Sequence, residues 1–174
     1  MKPQIQPNNW SCLPTAFAML LDVKVESLIQ KLGHDGSSIW FPNRPEPQCR
    51  RSFHPQEFVD LLFDKGYDII TIEANPKVHP DNPLVARQIF EICENRIKKY
   101  MEFNDCVLSG KTHSMRRHAV VWCEKEQLIY DPNGRVGPYD GKFAIEHLFI
   151  VRKLSTNIEL DEECNVKLIN DYLY

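Results

Sequence analysis

Apolar positions near the N-terminus predict two helices in succession. Residues 13–21 are apolar on nearly every side of a helical projection, so we expect this helix to be buried. The preceding Ser11 or Cys12 lies at or near its N-cap. Residues 25–32 fit a second, short helix that ends at Gly33, a residue type that favours helix C-termini.

The middle of the chain has one stretch without periodicity, followed by helix and strand patterns. Residues 36–53 have no clear period. Residues 55–65 are apolar at helical spacing and are followed by Gly66, which predicts a helix that stops there. Residues 67–72 then fit a strand, and residues from about 84 to 100 fit another helix.

The last third of the chain is rich in strand patterns. Short apolar runs predict four strands, at residues 105–108, 119–123, 127–130 and 149–152. The polar run 124–126 is short enough to turn the second strand into the third, which makes a hairpin. Helices therefore precede a mostly antiparallel sheet, and we predict a single domain of the α+β class over residues 1–174.

Composition narrows the classes of function. The net charge is −3, so no basic field indicates binding to nucleic acid or to an anionic membrane. The N-terminus lacks the apolar segment of a signal peptide, and no apolar run is long enough to span a bilayer. We therefore expect a cytoplasmic protein without membrane contact, and the sequence leaves its oligomeric state open.

Six cysteines are spread along the chain at wide and irregular intervals: Cys12, Cys49, Cys93, Cys106, Cys123 and Cys164. Without an export signal, reduced thiols are favoured over disulfides. Cys12 differs from the others because it lies where a loop becomes a helix, and N–H groups at a helix N-terminus stabilise a thiolate. The alternative for any lone cysteine is a small buried hydrophobic residue.

A cysteine nucleophile requires a base, and His118 is the candidate. It opens the strand 119–123 after a polar loop, where an imidazole can take the thiol proton and return it to a leaving group. His113 is an alternative base in the middle of that loop. Asp131 ends the next strand, so the predicted hairpin brings it beside His118, where a carboxylate can orient the imidazole. The alternative role of Asp131 is to start the turn that follows it.

Acyl chemistry also requires hydrogen-bond donors for a developing oxyanion. The side-chain amide of Gln6, six positions before Cys12, makes such a donor pair with the Cys12 backbone N–H. Gln4 is the alternative to Gln6 as this donor. The non-catalytic alternative is a solvated side chain, which is usual for a glutamine in a terminal segment. The predicted catalytic residues are therefore Cys12, His118, Asp131 and Gln6.

These residues and their neighbours resemble papain-like cysteine peptidases. The resemblance rests on Gln6, on Asn9 to Ala16, on Arg117 to Val121 and on Tyr130 to Pro132. It is closest to the double-glycine leader peptidases of bacteriocin exporters and to small papain-like proteins of phages and bacteria. It implies a papain-like fold, catalytic Gln, Cys, His and Asp in that order, a protein or peptide substrate, and no cofactor.

One departure from the leader peptidases concerns the substrate. They usually have Asp-Cys-Gly at the nucleophile, where this chain has Ser11-Cys12-Leu13. The resemblance therefore implies the fold and the catalytic groups more strongly than a double-glycine leader. The resemblance says little about residues 34–104, because the similar segments lie outside them.

The expected activity is hydrolysis of a peptide or isopeptide bond by a cysteine protease, with Trp10 and Arg117 in contact with the substrate. Trp40 and Phe41 are further candidates for a substrate groove, although aromatic residues more often lie in the core. The same groups serve deamidation or acyl transfer when the nucleophile or substrate changes. Two alternatives stay open: a binding module that leaves the triad unused, and regulation by a partner, such as a host or toxin protein, that is recognised through the Pro-rich loop 42–47.

Metal binding is not expected. Cys49 with His54, or His34 with Cys49, lacks the paired spacing of zinc ligands. Cys106 and Cys123 fall within predicted strands among apolar residues, so we expect both in the core.

Overall fold

The structure is a computed structural model, and it describes residues 1–74, 95–112, 114, 116–141, 143–154, 158–160 and 166–168. Its helices are α1 (Cys12–Leu20), α2 (Val25–Leu32), α3 (Pro55–Phe63) and α4, which includes residues 95–101. Most of the helix predicted over residues 84–100 lies outside the described residues. None of these four described helices is long and apolar enough to cross a membrane.

Six strands form one sheet: β1 (Tyr67–Glu73), β2 (Cys106–Lys111), β3 (Arg117–Cys123), β4 (Leu128–Asp131), β5 (Arg135–Gly137) and β6 (Ala144–Lys153). Their order is β1-β6-β2-β3-β4-β5, and each neighbouring pair is antiparallel. A separate antiparallel pair consists of β7 (Ile158–Leu160) and β8 (Val166–Leu168). The predicted α+β class with an antiparallel sheet is confirmed.

Helix α1 packs against β2 and β3, and its apolar sequence explains this position. Residues 13–19 are all buried, and the helix contacts both strands. The Phe17 ring stacks on Phe58 of α3 with ring centroids 4.4 Å apart. Burying one such side chain contributes about 1.5–3 kcal/mol, so the helix is firmly held. Its first residue, Cys12, consequently has a fixed position at the edge of the core.

Most elements differ from their predicted bounds by one to a few residues. β2 spans Cys106–Lys111 rather than residues 105–108, and β3 begins at Arg117 rather than at residue 119. β6 begins at Ala144 rather than at residue 149, because Glu146 and His147 interrupt the apolar pattern that predicts a strand. β1 and β2 supply its main-chain hydrogen bonds along its length. β5 has three residues, too few to show a period, and is not predicted. α3 ends at Phe63, two residues before its predicted bound.

Gly110 allows two strands to approach closely beside His118. In the β2–β3 ladder Gly110 lies opposite His118, and the register between β2 and β6 shifts next to it. A Cβ atom at Gly110 would lie 2.0 Å from the carbonyl oxygen of Ala144, which no side chain tolerates without a backbone shift. Glycine is therefore required here, and its absence would displace the strand that neighbours His118.

Candidate active site

Cys12 is the first residue of α1, and the loop before it is well hydrogen-bonded. The side-chain oxygen of Asn8 accepts hydrogen bonds from the Ser11 hydroxyl at 2.7 Å and from the Trp10 backbone N–H at 3.1 Å. Ser11 is the N-cap residue, and its carbonyl oxygen accepts from the Thr15 hydroxyl at 2.7 Å. These contacts hold the junction in place, with the Cys12 side chain half-buried at the helix N-terminus.

The hairpin of β3 and β4 brings His118 and Asp131 together, as the sequence pattern predicts. His118 is the second residue of β3 and Asp131 the last of β4, and the two strands pair antiparallel. The Nε2 atom of His118 lies 2.8 Å from Oδ1 of Asp131. Their side chains are 10% and 22% exposed, so water competes little for this hydrogen bond. His113, the alternative base, lies outside the described residues.

Asp131 also starts the turn that follows it, so the two roles considered for it coexist. Its Oδ1 accepts a hydrogen bond from the backbone N–H of Asn133 at 2.8 Å. Its carbonyl oxygen accepts from the Gly134 N–H, also at 2.8 Å. Gly134 has a φ of +86°, which side chains other than glycine rarely adopt. The turn therefore holds the carboxylate in the position from which it bonds to His118.

Hydrogen bonds and charge around His118 favour its protonated form. Burial by itself lowers the pKa of an imidazole. The hydrogen bond to Asp131, together with the hydrogen bond and the charge of Cys12, outweighs burial and raises the pKa of His118 to about 9. Because Nε2 faces Asp131, Nδ1 is the ring nitrogen left for Cys12. His118 is consequently an imidazolium at neutral pH, the partner that a cysteine thiolate requires.

The carboxyl group of Asp131 stays ionised in the same surroundings. Burial acts to raise its pKa, but the hydrogen bonds from His118 and from the Asn133 N–H hold the pKa below its usual value. An ionised carboxylate accepts hydrogen bonds only. It therefore keeps a proton on Nε2 of His118 and determines which way the ring faces.

The raised pKa of His118 makes the stability of the protein depend on pH. A group whose pKa is higher in the folded state stabilises that state fully below its unfolded pKa and loses this contribution as the pH rises through its folded pKa. The two values for His118 are 6.5 and about 9. The paired Cys12 offsets this change by giving up its own proton, so the comparison is made in a Cys12→Ala background. There the His118–Asp131 ion pair should make the free energy of unfolding, relative to His118→Gln, fall by about 1–3 kcal/mol as the pH rises above 6.5. Urea unfolding of both proteins at several pH values measures this difference, and a constant difference would contradict the ion pair.

Gln6 belongs to the same hydrogen-bonded group of residues. Its backbone N–H donates to the Pro132 carbonyl oxygen at 2.8 Å, which attaches the N-terminal segment to the turn after Asp131. Its Nε2 donates to Oδ1 of Asn133 at 3.0 Å. Its Oε1 is shielded from solvent and has no hydrogen-bond partner within the part of the chain that the structure describes. Such buried and unpaired amide atoms are rare in folded proteins.

Gln4, the rival of Gln6, has a different role. Its Nε2 donates to the Val23 carbonyl oxygen at 2.7 Å, and its Oε1 accepts from the Val25 N–H at 3.0 Å. Both ends of its amide are therefore used by the connection between α1 and α2. The structure places Gln6, and not Gln4, beside the turn that holds Asp131.

Asn133 is a residue of this group that no sequence pattern marks as a candidate. Its Nδ2 lies 3.3 Å from Nε2 of His118, and its backbone N–H bonds to Asp131. The register of the hairpin is the feature that could have pointed to Asn133. Val121 pairs with Tyr130, and a continuation of this ladder sets Asn133 opposite His118. Asparagine before glycine is common in turns, so the sequence alone gives it a purely local explanation.

Trp10 and Arg117 lie in different surroundings. Trp10 is half-buried, its Nε1 donates to the Asp35 carbonyl oxygen at 2.9 Å, and the Arg50 guanidinium lies 5.0 Å from its ring centroid. Arg117 is exposed at the first residue of β3, next to His118. Both flank the candidate catalytic residues in the sequence, and their contact with a substrate stays a prediction.

An exposed aromatic segment adjoins Trp10. Trp40 is 60% exposed and Phe41 43%, so neither lies in the core. The Arg51 guanidinium lies 5.2 Å from the Trp40 ring centroid. The Ser52 hydroxyl donates to the Trp10 carbonyl oxygen at 2.9 Å. This hydrogen bond attaches residue 52, which follows the stretch that contains Trp40 and Phe41, to the loop before the candidate nucleophile.

The two histidines considered for zinc have other contacts. His34 Nε2 lies 3.1 Å from Glu57 Oε1, and His54 accepts from the Gln56 N–H at 3.2 Å as the N-cap of α3. Across the described ranges, no group of three or more His, Cys, Asp or Glu side chains is placed to hold a metal ion. The described free thiols are Cys12, Cys49, Cys106 and Cys123. The last two are buried in the core, as predicted.

Comparisons with known proteins assign the chain to no family. No protein-family model matches the chain, and a search of curated proteins finds no match. Functional conclusions therefore depend on the groups themselves. A thiol at a helix N-terminus, an imidazolium, an orienting carboxylate and a side-chain amide are together the groups needed for nucleophilic attack on a carbonyl carbon.

Proposed function

We propose that the protein is a papain-like cysteine hydrolase that cleaves a peptide or isopeptide bond. The observation that carries the proposal is an imidazole shared between two partners. His118 bonds to Asp131 through Nε2 at 2.8 Å, and the Cys12 side chain is near enough to the same ring to raise the pKa of His118. A nucleophile, a base and an orienting carboxylate in this arrangement are typical of nucleophilic acyl transfer.

In the first step the Cys12 thiolate attacks the carbonyl carbon of the scissile bond. A carbon–sulfur bond forms, and the carbonyl π electrons move to the oxygen atom to give a tetrahedral oxyanion. The Cys12 backbone N–H and the Gln6 amide are the donors that stabilise this oxyanion. The His118 imidazolium gives its Nδ1 proton to the leaving amine, and the intermediate collapses to a thioester.

In the second step water hydrolyses the thioester. Neutral His118 takes a proton from the water molecule as it attacks, and the second intermediate releases the acid and the Cys12 thiolate. Asp131 stays ionised and keeps the imidazole oriented. An amine in place of water gives acyl transfer, and a primary amide substrate gives deamidation, so the same residues support all three reactions.

The order of the elements supports a papain-like fold for this chemistry. The nucleophile begins a buried N-terminal helix, and the base and the orienting residue follow on two neighbouring antiparallel strands. Helix α1 packs against β3, the strand that contains His118. Gln6, Cys12, His118 and Asp131 therefore occur in the order, and on the kinds of element, that papain-like peptidases use.

A binding module on the same scaffold is the second candidate, and the exposed aromatic segment favours it. Ile39, Trp40 and Phe41 are consecutive and all exposed. Aromatic side chains are enriched at protein interfaces. A partner held by this segment and the adjoining loop 42–47 requires no chemistry at Cys12, whereas a hydrolase must acquire an acyl group there.

Reaction with p-nitrophenyl acetate separates the two candidates. For a hydrolase we expect a burst of p-nitrophenolate equal to the protein concentration, and mass spectrometry should locate the acetyl group on Cys12. Cys12→Ala should show no burst, whereas Cys49→Ala, which removes a buried thiol outside the site, should keep it. Acetyl groups spread over several cysteines, or no burst from the wild type, would favour the binding module.

A further inference from the structure

The side-chain amide of Asn133 lies between His118 and Gln6. Its Nδ2 is 3.3 Å from Nε2 of His118, and its Oδ1 accepts from Nε2 of Gln6 at 3.0 Å. The Asn133 backbone is held independently, because its N–H donates to Asp131 at 2.8 Å. One residue therefore connects the candidate base with the candidate oxyanion donor.

The proton on His118 decides how the Asn133 amide is oriented. Nε2 of His118 lies 2.8 Å from the ionised carboxylate of Asp131, so it carries a hydrogen and is a donor. Nδ2 of Asn133 is also a donor, and two donors that face each other form no hydrogen bond. A half-turn of the Asn133 amide removes this conflict. Its Oδ1 then faces the Nε2–H of His118 as a second, longer acceptor beside Asp131, while its NH₂ group faces Gln6.

The orientation of the Gln6 amide follows from that of Asn133. An NH₂ group on Asn133 requires an acceptor, so Gln6 makes the same half-turn and presents its oxygen. The Gln6 NH₂ group then occupies the position that Oε1 has now, which is shielded from solvent and unpartnered among the described residues. A buried N–H without an acceptor is costly. A developing oxyanion is an acceptor that appears only during the reaction.

We infer that Asn133 is a positioning residue that turns the Gln6 amide so that its NH₂ group is free to stabilise the oxyanion. This inference rests on the proposed function. Each residue orients the next. Asp131 keeps the proton on His118, and protonated His118 orients Asn133. Asn133 in turn orients Gln6. The oxyanion donor is consequently arranged by the same hydrogen-bond network that holds the base.

Two reactions of Cys12 distinguish this role from general structural support. Iodoacetamide alkylates the thiolate without forming an oxyanion, whereas acylation by p-nitrophenyl acetate passes through one. For Asn133→Ala we expect acylation to slow by about tenfold, while the alkylation rate and its pH profile stay within about twofold of the wild type. The variant keeps the backbone N–H that bonds to Asp131, so the turn is retained.

Two further variants sharpen the test. Asn133→Asp keeps the size of the side chain but can only accept hydrogen bonds, so it draws Nε2 of Gln6 back toward itself. It should slow acylation at least as much as Asn133→Ala. In a Gln6→Ala background, Asn133→Ala should slow acylation no further, because both residues act on one donor.

The outcomes that overturn the inference differ from those that overturn the proposed function. Parallel losses of alkylation and acylation in Asn133→Ala would assign Asn133 to the support of His118 and Asp131 alone. Unchanged acylation, or losses that multiply in the double variant, would also contradict the inference. If the proposed function fails, the wild type itself shows no acylation burst and its Cys12 reacts with iodoacetamide no faster than the other cysteines.

Discussion

Replacing His118 by alanine is expected to slow the alkylation of Cys12 by iodoacetamide at pH 6 by about 100-fold. A cysteine thiol without an imidazolium partner has a pKa of about 8.5, so only about 0.3% of it is thiolate at this pH. In the native protein His118 is protonated, since its pKa is raised to about 9. An adjacent imidazolium increases the reactive thiolate fraction of a cysteine, and the weaker nucleophilicity of an ion-paired thiolate keeps the rate difference below the gain in that fraction.

Two controls isolate the contribution of His118. Cys12→Ala measures the background labelling of the remaining cysteines, of which Cys106 and Cys123 are buried. His147→Ala removes a histidine whose ring packs on Phe149, and it should leave the rate unchanged. Slow labelling of Cys12 that is equal in the wild type and in His118→Ala would rule out the thiolate–imidazolium pair and, with it, the hydrolase.

Replacing Gln6 by alanine is expected to slow the acylation of Cys12 by p-nitrophenyl acetate by about 100- to 1000-fold. This is the loss that follows removal of one oxyanion donor in acyl-transfer enzymes. Alkylation by iodoacetamide should change by less than about twofold, because that reaction forms no oxyanion. Stopped-flow absorbance of p-nitrophenolate and mass spectrometry of the alkylated protein measure the two rates.

Gln4→Ala is the matched control for Gln6→Ala. Gln4 has the same side chain two positions earlier in the same segment, but its amide bonds to Val23 and Val25. Its loss should cost about 1–2 kcal/mol of stability and leave acylation unchanged. Equal slowing of acylation in both variants would show that the N-terminal segment acts through its position as a whole and would exclude Gln6 as the oxyanion donor.

Local patterns were sufficient for most of the elements that hold the candidate catalytic residues. The apolar run after Cys12 predicts a buried helix, and α1 begins at that residue. Gly33 predicts the end of α2 and has a φ of +76°, a conformation that glycine adopts without strain. These predictions succeed because helix burial and helix termination depend on residues a few positions apart.

The pairing of His118 with Asp131 is also close to a local property. The two residues are thirteen positions apart, and a single hairpin separates them. A short polar connection between two strand patterns is enough to bring the ends of that hairpin together. The sequence could not show that Asp131 both starts its turn and bonds to His118, because that depends on which oxygen atom faces each partner.

Sequence patterns were sufficient to predict the α+β class, the helix that starts beside Cys12 and the hairpin that joins His118 to Asp131. The tertiary structure was needed to place Gln6, and not Gln4, beside the turn after Asp131 and to reveal the contacts of Asn133. The hydrogen bond between Gln6 and Asn133 joins residues 127 positions apart. No period or spacing reports on such a contact, since it depends on where the N-terminal segment crosses the turn after β4, and that path is set by packing and hydrogen bonds of the whole domain.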